Sequence, residues 1–522
     1  MRFTTTSTAA LLLAAISSNG AHSEEKGPAL IAANCGACHA REPDGGFARI
    51  SNIRKTPEGW DMTLSRMQRW HAVTVAPDDR AVLVEYLADL QGLAPSEAEP
   101  FRYVLEQRPG VEDKQVDAEL GEMCARCHTI ARPGLQRRDA DEWKKLVSTH
   151  VGQWPSLEFQ AKSRDRDWWG IANSRTKDQL GKLWGFSSSA WDQWKGHKAP
   201  DLDGAWAVSG HQPGNGDYLG VLTVKKETPD HYSVGYDLTF ADGAHVLAQG
   251  KSVLYTGYEW RGSLEIGGKS IHEVYALSAD GQTLSGRWFD GVNDEIGADQ
   301  RAVKLGKTAV LQAVEPQAIK AGAPVRISLV GAALKGPVDL GPGVEVGKIE
   351  QKPWGLEVSA KIAAGASGVR DVTAGGSRLP QALTIYDKVA AVTVEPPFTI
   401  ARVGGNGGAE PLHFAQFEAI GYANDKEGKP TVRLGALPAQ WKSDNYNEAA
   451  KALDDVKFAG SIDGKGLFTP GLAGPNPLRV FHTNNVGDLR INAVVADGKG
   501  GAVSGDSHLI VTVQRWVDGW IR

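Results

Sequence analysis

The stretch ANCGACHA, residues 33–40, decides how this chain is read, and EMCARCHT, residues 122–129, is its second copy. Each contains C-x-x-C-H, and together they use all four cysteines of the chain, Cys35, Cys38, Cys124 and Cys127. Two sulfurs at this spacing can both reach one porphyrin edge as thioethers. The next residue, His39 or His128, then swings under the ring as an axial ligand, which is the pattern of c-type haem attachment. A zinc site could draw four thiolates from the two pairs, but it would leave both histidines without a role. A thioredoxin-like redox pair wants a βαβ setting that neither copy shows. The chain is therefore expected to carry two covalently bound haems c.

The N-terminus agrees with that chemistry. Residues 1–23 combine Arg2, an apolar run from Ala9 to Ile16 and the small residues around Ala21-His22-Ser23, as a secretory signal peptide cleaved after Ser23 does. Covalent haem attachment takes place outside the bacterial inner membrane, so the expected address is the periplasm. No later run approaches the eighteen apolar residues of a spanning helix, so no membrane segment is expected. A net charge of −5 without a basic tract gives no footprint for nucleic acid. The 522 residues exceed what one hydrophobic core supports, which implies several domains.

The first third reads as a duplicated, all-α cytochrome c region, 24–107 and 108–200. In each half a short helical pattern runs into C-x-x-C-H, and a proline, Pro43 or Pro133, follows the histidine. Next comes a helix entered by an acid, PEGWDMTLSRMQRWH in one half and DADEWKKLVSTH in the other. PDDRAVLVEYLADLQG closes the first half as an amphipathic helix between Pro77 and Gly92. SRTKDQLGKLWG is its counterpart in the second. Trp60, Leu64 and Met67 lie at i, i+4 and i+7, one helical face, and Trp143, Val147 and His150 repeat the offsets. Superposing the tryptophans puts Met67 onto His150, and these are the expected sixth iron ligands. His71, four residues beyond Met67, shares its face and is the alternative; a surface histidine at a helix end is the plainer reading of His150. Methionine ligation raises a haem potential relative to bis-histidine ligation, so the haem at His128 is expected to be the better reductant.

From residue 201 the texture changes to all-β. Alternating runs at 218–225, 231–240, 245–257 and 271–278, separated by Asp242-Gly243 and Asp280-Gly281, predict an antiparallel barrel over 201–306. Its histidines, His211, His231, His245 and His272, have no metal-ligand spacing and read as strand surface residues. Short strands and Gly-Pro turns over 307–388 suggest an immunoglobulin-like sandwich. A second one follows over 389–522, with residues 435–460 as an insertion. The run Gly404–Gly408 lacks the strand-to-helix context of a phosphate cradle. No nucleophile elbow, carboxylate pair or metal triad stands out in these domains. Sixteen tryptophans, many between Trp143 and Trp206, read mainly as core.

Signal peptide, two C-x-x-C-H domains, barrel and two sandwich modules, in that order, resemble the α subunit of quinohemoprotein amine dehydrogenase. RDRDWWGIA after the second motif and EGWDMT after the first add to the likeness, which covers the whole length. The resemblance implies a heterotrimer with a β-propeller β subunit and a small γ subunit bearing cysteine tryptophylquinone. It also implies oxidative deamination of primary amines, with a blue copper protein or a small cytochrome c as acceptor. The chain would then be an electron-transfer subunit with no catalytic residue of its own. Two other classes are kept: a dihaem peroxidase, which needs an open or displaceable sixth position where both halves here offer a ligand, and a haem-bearing adhesion or binding protein.

Overall fold

The computed structural model describes residues 23–113, 116–153, 165–322, 324–406 and 410–514. The expected signal peptide lies outside them, apart from Ser23, as do Gly407, Gly408 and the residues after Gln514.

Helix α1 (Ser23–Cys35) delivers the first motif. Helix α2 (Pro57–His71) starts where Thr56 turns extended and its side chain accepts from the Gly59 amide, with Pro57 preset in the first turn. It stops where Ala72 enters the left-handed region at φ 53°. Helix α3 (Pro77–Leu90) repeats the proline start, with Asp78 and Asp79 at the positive end of its dipole. In the second half, α4 (Ala118–Cys124) is capped by Asp117 and delivers the second motif. Helix α5 (Ala140–Gln153) is entered through Asp139, which accepts from the Glu142 amide at 2.8 Å. A π-turn over Ala172–Thr176 then runs into α6 (Lys177–Leu183), the expected closing helix.

A two-stranded antiparallel ribbon ties the halves together. Strand β1 (Ile53–Lys55) pairs with β2 (Gln136–Arg138), in register Ile53 to Arg138, Arg54 to Arg137 and Lys55 to Gln136. On one face Arg54 and Arg137 both bond Glu97. The pattern was invisible to periodicity because five of its six residues are polar.

Residues 204–304 close into an eight-stranded antiparallel barrel, in which each strand pairs with the next in sequence and Gly297–Lys304 returns to Gly204–Gln212. The expected meander is present, and its strand ends fall within a few residues of the predicted runs. The barrel core (Trp206, Tyr218, Tyr236, Trp260, Tyr275) is continuous with the second helical half through Leu120, Trp143, Leu180 and Trp184. The first half has its own core around Ile31, Trp60, Leu64 and Leu83, against which Tyr255 of the barrel packs, and Leu93, Ala98 and Phe101 join the barrel's core; polar contacts add to this seam. Thr256 donates to Asp89 at 2.6 Å, Arg261 pairs with Glu58, and Gly92 lies so close to Thr256 that a Cβ would sit 2.8 Å from its side chain. Gly92 is thus demanded by close approach of the Ala88 carbonyl and of the barrel, not by a left-handed helix end.

Residues 310–386 form two four-stranded sheets around one apolar core. The last region carries one four-stranded and two three-stranded sheets around another. There the expected insertion is not wholly extra: Gln440–Asn445 pairs with Gly487–Ala496 as a sheet strand, and only Glu448–Ala452 and Asp455–Phe458 add helices. Among the described residues, no helix is long and apolar enough to cross a membrane.

Candidate haem sites

Each motif coils so that its histidine follows directly on its cysteines. The His39 and Cys38 amides both donate to the Cys35 carbonyl, at 2.9 and 3.1 Å. Cys35 and Cys124 are half-buried, whereas Cys38 and Cys127 are exposed, and no two of the four are joined as a disulfide among the described residues. Burial pushes the Cys124 thiol up to about 11 and raises Cys35 as well.

His39 donates through Nδ1 to the Ala48 carbonyl at 2.8 Å, and His128 does the same to its neighbour Thr129 at 2.8 Å. A carbonyl can only accept, so these bonds fix the tautomer and leave each Nε2 lone pair free for iron. His150, on α5, has the same arrangement, with Nδ1 donating to the Leu146 carbonyl at 2.8 Å. Burial, then the charges of Arg132 and His150, push the His128 pKa down to about 4. Burial, then Arg132, Arg66 and Arg138, lower that of His150. Both imidazoles are therefore neutral at neutral pH, as metal ligation requires, and they lie close enough to feel each other's charge. Val147, one turn before His150, packs with Met123 and Cys124 of the second motif.

The first half repeats this frame. Leu64 of α2 shares a core with Cys35. Trp60 donates from Nε1 to the Gln91 carbonyl at 3.3 Å, and Trp143 donates to the Trp184 carbonyl at 3.2 Å. The same two carbonyls accept from the Lys55 and Arg138 amides, at 2.9 and 3.1 Å. Helices α2 and α5 are thus each pinned by a tryptophan to the closing helix and the ribbon in the same way. Within that frame Met67 and His150 occupy matching places. Met67 is half-buried, while His71, at the helix end, is exposed. The residues present fit two haems c, with donors of the right type in each half.

Some contacts were not legible in the sequence. His211 is no plain surface residue: it bonds Asp217 at 2.6 Å and Glu418 of the last region at 2.8 Å. These acceptors outweigh its burial and raise its pKa to about 10. His231 bonds Glu85 of α3 at 3.1 Å. The adjacent Asp294 and Glu295 and the sequence-remote His413 bring their ligand atoms within 4.8 Å of one another between the barrel and the last region. Spacing could not reveal such a set.

Four family models cover the chain. They are the haem-binding domain of the quinohemoprotein amine dehydrogenase α subunit at residues 25–191, its domain II at 199–305, domain III at 307–387 and domain IV at 392–521. The chain belongs to the quinohemoprotein amine dehydrogenase α-subunit family. Its helical third is that family's haem-binding domain, and membership makes it part of a multi-subunit amine dehydrogenase. No curated protein matches the chain. Among solved structures it is similar to a redesigned β-barrel, mFAP1, bound to DFHBI, at 14% identity over 20% of this chain and 94% of that one, with a TM-score of 0.19. It is also similar to mouse cadherin-23 EC22-24, at 11% identity over 60% and 87%, with a TM-score of 0.15. Scores this low carry no weight beside the family match.

Proposed function

We propose that this chain is the dihaem electron-transfer subunit of a periplasmic amine dehydrogenase. The observation that carries this reading is the pairing of each C-x-x-C-H motif with its own pinned ligand helix, in a chain matched along its length by α-subunit domains. Cys35, Cys38 and His39 would hold one haem, with Met67 as sixth ligand. Cys124, Cys127 and His128 would hold the other, with His150. The haems would supply one-electron transfer between the cysteine tryptophylquinone of a small γ subunit and an external blue copper protein or cytochrome c, during oxidative deamination of primary amines.

The chain's own residues prepare those sites. The Ala48, Thr129 and Leu146 carbonyls orient the imidazoles, and burial keeps His128 and His150 neutral. The barrel (201–306) and two modules (307–388 and 389–522), read here as immunoglobulin-like sandwiches, would dock the γ subunit and a β-propeller β subunit. Residues 1–23 would direct export and be removed.

Native purification of a tagged chain tests this reading. It should bring down two companion subunits, the smaller staining for a covalent quinone. A chain that elutes alone, or reduces an acceptor with amine unaided, overturns it.

A further inference from the structure

The face of the β1–β2 ribbon opposite Arg54 and Arg137 gathers positive charge. Lys55 is only 2% exposed and Arg138 only 3%. The Lys55 ammonium donates to the Thr63 hydroxyl at 2.6 Å, and the Arg66 guanidinium donates to that same oxygen at 3.2 Å. Thr63 spends its own proton on the Gly59 carbonyl at 2.8 Å, so two cations converge on one neutral oxygen. Arg138 lies over the Trp143 ring as Lys55 lies over Trp60, and its Nε is buried with no hydrogen-bond partner. Arg132 and Arg49 complete the group: with Arg138 and Arg66 they act on Lys55 and, after burial itself, hold its pKa well below the usual range.

Among the described residues, Glu142 is the one carboxylate within ion-pair distance of this set. It lies 3.9 Å from Arg138 and 3.7 Å from Arg49, and it is also engaged by Lys145. Asp139 acts on Arg138 from further away. Five cations around one carboxylate, with Lys55 and Arg138 almost wholly buried, are strongly unfavourable unless further negative charge joins them. A protein that assembles them has an anion to place there. Arg138 lies over Trp143 of the helix that carries His150, and Arg132 stands four residues after His128. A haem brings two carboxylates of its own.

We propose that Lys55, Arg66, Arg132 and Arg138 seat the propionate carboxylates of the haem attached at Cys124 and Cys127. Two of the four cations, Lys55 and Arg66, come from the other haem half. The second haem is thereby held by both halves, and each half's charge reaches the other's site. Arg66 neighbours Met67, so the ligand helix of one haem carries a counter-ion of the next. This inference rests on the haem reading above.

Potentiometric titration of the holo chain tests it, using Arg132→Gln and Arg138→Gln beside Arg326→Gln, an exposed arginine of a distant β module. Removing a cation from the carboxylates of a haem disfavours its reduced form. The lower of the two midpoints should therefore fall in the first two variants, and neither should move in the third. Arg132→Lys should restore it, as a merely structural role would not require. Both midpoints unchanged, with raised stability as repulsion is relieved, would overturn the seat. Intact mass of each variant separates the two failures: two haems bound with unmoved midpoints sinks only the seat, and absence of the second haem from wild type sinks the reading beneath it.

Discussion

Glu97→Gln should loosen the junction between the two haem halves, because this side chain holds both ribbon strands. Its Oε2 accepts from Arg54 at 2.8 Å and from the Ala94 amide at 2.9 Å. Its Oε1 accepts from Arg54 at 2.9 Å, Arg137 at 3.1 Å and Ser188 at 2.8 Å. Arg54 is 1% exposed and Arg137 5%, so glutamine would leave two uncompensated guanidiniums in one buried pocket. Breaking a buried pair from one side costs about 3–5 kcal/mol. Burial alone would raise the Glu97 pKa; the bonds from Arg54, the charge of Arg137 and the Ala94 amide outweigh it and bring it from 4.5 to about 2. That shift corresponds to about 3 kcal/mol, in agreement. A depressed carboxylate pKa gives stability that is present above pH 4.5 and lost as pH falls towards 2. The deficit of the variant should therefore be full at pH 7 and shrink below pH 4. Guanidinium unfolding of the holo chain, followed at the haem Soret band, reads this region. A deficit at pH 7 no larger than that of a surface ion pair, below about 1 kcal/mol, would refute the reasoning.

Three further outcomes are expected. Met67→His should lower one haem midpoint and His150→Met should raise the other; if Met67→His changes nothing while His71→Ala alters the spectrum, His71 is the ligand. Burial, with Asp230 and Glu85 nearby and against the Thr256 amide, raises the Asp89 pKa from 3.8 to about 7. The folded state then binds the extra proton between those values, so stability falls as pH rises through that window. Asp89→Asn should match wild type near pH 4 and be the more stable above pH 7 in thermal unfolding. Gly92→Val would press a side chain on the Ala88 carbonyl and Thr256. It should cost about 1–3 kcal/mol, seen as faster proteolysis of the first half with the barrel's own unfolding unchanged.

Local signals carried well from sequence to structure. C-x-x-C-H, the Trp60 and Trp143 offsets, the proline-started helices and the period-two strands of the barrel each depend on neighbours within a turn or a hairpin. Contacts between distant segments did not carry. The ribbon residues Arg54, Lys55, Arg137 and Arg138 drew no reading from the sequence, because nothing nearby in sequence announces Glu97 on one face or the cationic cluster on the other. Residues 440–445 read as insertion because their partner strand lies some fifty residues away. His211 and the Asp294, Glu295 and His413 group failed for the same reason: each is completed by a residue from another domain. The candidate site residues were visible in the sequence because C-x-x-C-H is a local motif. The charges around them were not, because they arise where two domains meet.

Anaerobic addition of a primary amine to the native complex, followed in the haem absorption bands, tests the central claim most directly. Electrons should appear on both haems of this chain when its partner subunits are present, and on neither when the chain is alone. Reduction of the isolated chain by amine, or a native complex whose haems stay oxidised with amine in excess, would contradict the account.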